Sequence, residues 1–121
     1  MKQDVVVRFA PSPNGLLHLG HAFAAVMAHD FARSQGGTVL LRIEDIDTQR
    51  CREEYVEAIL ADLDWLGLDF DGDVLFQSRR FDAYRAALDR LIAIGMVYPC
   101  FCTRSDLRQQ EEQGKVQFGP D

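Results

Sequence analysis

Apolar positions along the 121 residues fall into short runs with two different spacings. Asp4 to Phe9 (DVVVRF) is a β-branched run between turn formers, and Thr38 to Ile43 (TVLLRI) is a second; both have the pattern of strands buried in a sheet. Between them Pro11, Pro13 and Gly15 force a loop. From Gly20 to about Gln35 an alanine-rich stretch follows, with Phe23, Val26, Met27 and Phe31 at helical spacing, stopped by Gly36-Gly37. The first fifty residues therefore predict a β-α-β unit, with parallel strands and the right-handed crossover found in nearly all such units.

Further on, Val56, Ile59, Leu60, Leu63 and Leu66 line one face of a second helix, and Phe81, Tyr84, Leu88, Leu91 and Ile92 line one face of a third. Phe70 to Asp73 (FDGD) reads as a turn and Val74 to Phe76 as a short strand. Val97 to Cys102 is a further strand candidate, and Ser105 to Gln113 a polar helix. No repeat, linker or low-complexity tract interrupts the chain, so the expectation is one α/β domain with a parallel sheet and flanking helices.

Composition narrows the class. The 47% apolar and 26% charged fractions are those of an ordinary globular protein. No apolar run approaches the roughly 20 residues of a membrane span, and the N-terminus lacks a signal-peptide layout, which places the expectation in the cytoplasm without a membrane partner. Three cysteines, with Cys100 and Cys102 too close for an ordinary loop-closing disulfide, agree with a reducing compartment. The net charge of −6 argues against a general electrostatic grip on phosphate backbones. Residues 1–50 are balanced, with five basic and five acidic side chains, and all the excess acid lies beyond them.

The densest chemistry is in Arg8 to His21, RFAPSPNGLLHLGH. In a parallel α/β sheet, ligands bind beyond the carboxyl ends of the strands, on the loops that lead into helices. Here the loop ends in His18-Leu19-Gly20-His21 at a helix start, where free N–H groups and the helix dipole attract anions. His18 and His21, three apart, share a face and can both donate to a phosphate chain, while Gly20, lacking a Cβ, lets a flat ligand approach the backbone. Two blander readings stand beside this one: a turn shaped by proline and glycine with ordinary histidines, or a two-histidine metal pair. Against metal, no third ligand follows at helical spacing.

The second charged block, Leu41 to Arg50 (LRIEDIDTQR), leaves the second strand. Asp47 or Thr48 would cap the next helix. Arg42 and Glu44 point to one face. Glu44, at a strand end beside Arg8 of the neighbouring strand, would hold a zwitterion at both ends, guanidinium on carboxylate and carboxylate on ammonium.

RFAPSPNGLLHLGH resembles the "HIGH" region of class I aminoacyl-tRNA synthetases of the glutamate branch, and LRIEDIDTQR resembles that branch's second block. The likeness continues through DWLGLDFDGDVLFQSRRFDAYRAALDRL to CFCT at Cys100 to Thr103. IEDID (Ile43 to Asp47) and DGDVLFQS (Asp71 to Ser78) are more similar to the glutamyl-queuosine tRNA(Asp) synthetases than to full-length glutamyl-tRNA synthetases. The resemblance implies the first half of a Rossmann-like nucleotide-binding fold of the HUP type, with residues 1–121 as the N-terminal part of a catalytic domain and the start of a zinc-binding insertion at about 98–121. It implies activation of glutamate by ATP with Mg2+, then transfer to the queuosine base of tRNA(Asp). Arg8, Phe9, Ala10, Pro11, Ser12 and Glu44 match glutamate contacts; His18, Gly20 and His21 match ATP contacts, the histidines being the catalytic candidates. Many branch members lack the second histidine; this sequence keeps His21.

Cys100 and Cys102 resemble the first half of the family's zinc site. Zinc takes four ligands, and after Cys102 the chain offers no Cys, His or Tyr, so either an empty half-site or a chain cut short is expected. The plainer alternative for the pair is two small strand residues, one facing inward, and Cys51 reads as a free thiol. The family's "KMSKS" loop has no counterpart here, which implies a fragment. Apolar surface left by a missing half would favour self-association. An ordinary glutamyl-tRNA synthetase and a non-catalytic nucleotide-binding paralogue are the competing expectations.

Overall fold

The computed structural model describes residues 4–114. Eight elements follow one another: β1 (Val6–Phe9), α1 (Leu19–Ser34), β2 (Thr38–Ile43), α2 (Glu53–Trp65), β3 (Leu75–Phe76), a 3-10 turn (Gln77–Arg80), α3 (Phe81–Ala93) and α4 (Arg104–Glu112). The described residues divide into two compact units, one running to Ala83 and one from Tyr84.

In the first unit three parallel strands lie in the order β1-β2-β3. Val6 stands opposite Thr38 and Phe9 opposite Leu41, while Arg42 and Ile43 stand opposite Leu75 and Phe76. The predicted β-α-β unit is therefore present. Its closing turn is set by Gly36, whose φ of 65° is the left-handed conformation that ends helices cheaply only with glycine. Gly37 follows with its N–H donating to Ala32 O at 2.8 Å, and Thr38 N–H then donates to Val5 O to start β2.

Burial along β2 alternates. Val39, Leu41 and Ile43 are buried, whereas Leu40 is exposed and Arg42 half-buried. The sequence suggested strands buried throughout; instead α1 and α2 both pack on one face, and the pleat sends every second side chain to the other. The core on the covered face joins Phe9, Ala25, Leu41, Ile43, Ile59 and Leu63. Each such large apolar side chain contributes roughly 1.5–3 kcal/mol by leaving water.

Helix α1 meets the sheet through Ala25, His29 and Ala32, small or flat side chains that permit close approach. Phe23, Met27 and Phe31, which the helical spacing singled out, are all more than half exposed. Helix α2 follows the expected face in part: Ile59 and Leu63 are buried with Val56 packed beside them, whereas Leu60 is exposed.

The second unit contains most of α3 and all of α4. Leu88, Leu91 and Ile92 share one side of α3, as the spacing predicted, but none is buried. Residues 97–102, the further strand candidate, form no strand; among the described residues no partner strand pairs with them. The polar helix α4 is as expected and opens on a reciprocal cap: Thr103 Oγ1 accepts from Asp106 N–H at 3.2 Å, and Asp106 Oδ2 accepts from Thr103 N–H at 2.7 Å.

Candidate functional site

Residues 10–18 connect the carboxyl end of β1 to α1. Pro11 and Pro13 are buried, and because proline has no N–H each contributes only its carbonyl. Pro11 O accepts from Glu44 N–H at 2.9 Å and Pro13 O from Arg52 N–H at 3.0 Å. The loop after β1 is thereby fastened to the segment after β2, at the strand ends where α/β proteins bind ligands.

The two histidines build the start of α1. His18 is its N-cap, and its ring Nδ1 accepts from Gly20 N–H at 3.1 Å. His21, three residues on, returns the contact: its Nδ1 accepts from His18 N–H at 3.2 Å. The rings lie one over the other, centroids 3.8 Å apart and tilted by 30°. A histidine pair thus does the work of the usual Ser/Thr and Glu box, a role that residue type alone did not reveal. Gly20 also has a purpose different from the one read in the sequence. A Cβ there would lie 3.0 Å from His18 Cε1 and 3.2 Å from its Nδ1, so the space beside Gly20 is taken by the His18 ring rather than left open for a flat ligand.

Glu44 follows the last residue of β2. Its Oε1 is paired with Arg42 Nη2 on the same face of the strand. Arg8 is exposed one strand away and makes no ion pair with Glu44; the acid is oriented by Arg42, leaving Oε2 and the Arg8 guanidinium unengaged among the described residues. Of the other residues matched to glutamate contacts, Ala10 is half-buried, Pro11 buried and Ser12 exposed on the connecting loop. Phe9 points its side chain into the core, so only its backbone faces the loop.

Asp47 does not cap α2, nor does Thr48. The cap position is Arg52, without a side-chain bond, and Asp47 instead closes its own turn, with Oδ1 accepting from the N–H groups of Gln49 and Arg50 and Oδ2 paired with Arg50 Nε at 2.7 Å. That guanidinium holds the Asp47 carboxyl below its usual range. Asp45 binds Ser78 twice, accepting from its N–H at 2.8 Å and its Oγ at 2.6 Å, which brings the Asp71 to Ser78 block against the Glu44 block. Cys51 is a free thiol, as read; burial pushes its pKa up, away from a reactive thiolate.

A polar cluster that the sequence did not disclose lies along α1. Buried His29 contacts Asp69 through Nε2 at 2.8 Å, and Arg33 donates to Asp69 Oδ2 at 2.5 Å and to Asp71 Oδ2 at 2.7 Å. Asp71 Oδ2 also accepts from Val39 N–H, and Asp71 N–H donates to Val39 O, both at 2.7 Å. The FDGD turn is in this way bound to both α1 and β2. Asp69 in the sequence could have paired with any of several basic groups, and no local signal selects His29.

Cys100 and Cys102 are both exposed, and the hydrogen bond from the neighbouring Cys100 side chain raises the pKa of the Cys102 thiol. Among the described residues no three His, Cys, Asp or Glu side chains are grouped to hold a metal ion. The two thiols make up half of a four-ligand zinc set at most, so zinc is not supported by the described residues.

A family model for class I tRNA synthetases (E and Q), catalytic domain, matches residues 4–119. The chain is 53% identical over 119 residues to a glutamyl-Q tRNA(Asp) synthetase of Rhodobacter capsulatus, covering 97% of this chain and 43% of that protein. It is 47% identical over 113 residues to a glutamate–tRNA ligase of Nitratidesulfovibrio vulgaris, covering 93% of this chain and 24% of that protein. Among solved structures, a glutamate tRNA ligase from Elizabethkingia meningosepticum in complex with its amino acid superposes with a TM-score of 0.80 at 36% identity, over 95% of this chain and 25% of that one. The chain thus spans less than half the length of these relatives.

Proposed function

The chain belongs to the class I tRNA synthetase (E and Q) catalytic-domain family, and from that premise we propose that it supplies the ATP- and glutamate-facing part of a ligase that forms glutamyl adenylate and passes the glutamyl group to the queuosine base of tRNA(Asp). The observation that carries this reading is the junction at the carboxyl ends of β1 and β2. There the imidazole-capped start of α1 and the Arg42-oriented Glu44 flank one loop, joined through the Pro11 to Glu44 hydrogen bond.

In the proposed reaction the substrate carboxylate attacks the α-phosphorus of ATP in line and pyrophosphate leaves, with no covalent bond to the protein. Catalysis then rests on alignment and on donors aimed at the charge growing on phosphoryl oxygens. His18 and His21 are the donors. Arg8 takes a carboxylate of glutamate, and Glu44 Oε2 takes the ammonium. Mg2+, when bound with the nucleotide, would supply charge neutralisation at the phosphates.

The queuosine acceptor is favoured over tRNA(Glu) by the higher identity to the glutamyl-Q tRNA(Asp) synthetase, 53% against 47%. ATP–pyrophosphate exchange with glutamate, run on the complete gene product with and without tRNA, tests activation. Labelled glutamate offered to queuosine-containing tRNA(Asp) and to tRNA(Glu) then tests the acceptor. No exchange under any condition refutes the ligase reading in favour of a nucleotide-binding protein without turnover. Charging of tRNA(Glu) alone refutes the queuosine acceptor.

A further inference from the structure

We infer that the cap of α1 locks His18 and His21 in one tautomer, the neutral ring with its proton on Nε2, so that each histidine positions the other and the pair offers two uncharged N–H donors. The inference deepens the proposed nucleotide site and rests on it for its functional meaning, though not for its chemistry.

The argument is one of donors and acceptors. A backbone N–H only donates. Gly20 N–H is aimed at His18 Nδ1 and His18 N–H at His21 Nδ1, at 3.1 and 3.2 Å. Each Nδ1 must therefore present a bare lone pair, and a neutral imidazole carries its single proton on the other nitrogen. Two further features support the neutral form. The ring centroids are 3.8 Å apart, where two imidazolium charges would repel, and among the described residues no carboxylate pairs with either ring to offset such a charge. The first turn of α1 is likewise without an acidic side chain.

The interlock is reciprocal. His18 Nδ1 holds the backbone of the first turn, and His21 Nδ1 holds the backbone of His18, so rotation of either ring about χ2 would trade an acceptor for a C–H and release one helix N–H. With both Nδ1 atoms committed, both Nε2–H groups are left as donors. The protein would then meet a phosphate chain with oriented dipoles and the helix terminus instead of full positive charge.

The test is ring-nitrogen NMR on the complete protein with 15N-labelled histidine, free of nucleotide at neutral pH. Long-range proton–nitrogen spectra report which ring nitrogen carries the proton, and His18→Asn and His21→Asn assign the signals by their loss. The carboxamide oxygen of asparagine can take over the cap acceptor, so these variants are expected to fold. The expected result is an unprotonated Nδ1 and a protonated Nε2 in both rings. A proton on Nδ1 of either ring, or an imidazolium pattern, overturns the inference. ATP is then added: the expected pattern stands as support whether or not the Nε2 signals move, and an absence of movement counts against the nucleotide site alone.

Discussion

His29 Nε2 lies 2.8 Å from Asp69 Oδ1, across forty residues of sequence, while His29 Nδ1 stands 3.1 Å from Asp30. The Asp69 bond, assisted by Asp30 and opposed by burial, raises the His29 pKa above its ordinary 6.5. A group whose pKa is higher folded than unfolded contributes its stability below the unfolded value and loses it as pH rises through the folded one. The contribution of His29 is therefore expected to be fully present below about pH 6.5, while Asp69 and Asp71 remain ionised, and to decline above it. Thermal unfolding scanned over pH should show this decline in the parent and a flattened one in His29→Gln. At neutral pH His29→Ala is expected to cost about 1–3 kcal/mol, read from denaturant midpoints.

The two adjoining glycines after α1 are expected to respond differently to a methyl group. At Gly36 a Cβ meets nothing, but the φ of 65° opposes it, and Gly36→Ala should cost about 1–2 kcal/mol. At Gly37 the Cβ would lie 2.5 Å from Val5 O and 2.9 Å from Val5 Cβ, so the β1–β2 pairing itself has to shift. Gly37→Ala is expected to be the more damaging of the two, with faster amide hydrogen exchange at Thr38, whose N–H donates to that same carbonyl.

Gly20→Ala separates catalysis from stability. The gain of up to about 1 kcal/mol from propensity is expected to be offset by strain on the His18 cap, leaving the net change in stability small. The new methyl would press on the His18 ring, 3.0 Å away. On the proposed role of His18, pyrophosphate exchange should fall about 10- to 100-fold, through displacement of that donor. A loss of melting temperature with unchanged exchange would contradict the arrangement described.

Glu44→Gln keeps the shape but removes the charge that Arg42 orients. On the proposed role, the KM for glutamate in exchange is expected to rise about 10- to 100-fold, as for a lost charge-assisted hydrogen bond. The KM for ATP should change little. Equal loss for both substrates would instead assign the Glu44 side chain a structural role through its ion pair with Arg42.

Much of the fold was legible because it is written locally. The β-branched runs, the alanine-rich helix and the glycine pair each act within a few residues, so β1, α1 and β2 lie close to where periodicity puts them, and the RFAPSPNGLLHLGH segment marks the strand-end loop. The short β3 and the polar α4 were found by the same means. Residues 97–102 were not, since a β-branched or aromatic run becomes a strand only when another strand comes to pair with it.

The candidate site was legible as a list of residues but not as an arrangement. Sequence spacing put His18 and His21 on one face; only the folded helix start showed them capping it, with the His18 ring in the space that Gly20 leaves. Sequence put Arg42 and Glu44 on one side of a strand, and the structure shows the two joined as an ion pair. The helical stripe of Phe23, Met27 and Phe31 was correctly spaced yet faces away from the core, and buried His29 found Asp69 forty residues on. Backbone periodicity and turns depend on neighbours a few bonds away, so the sequence by itself determines them. Which side chain meets which depends on where distant segments are brought, and only the packed sheet and helices decide that.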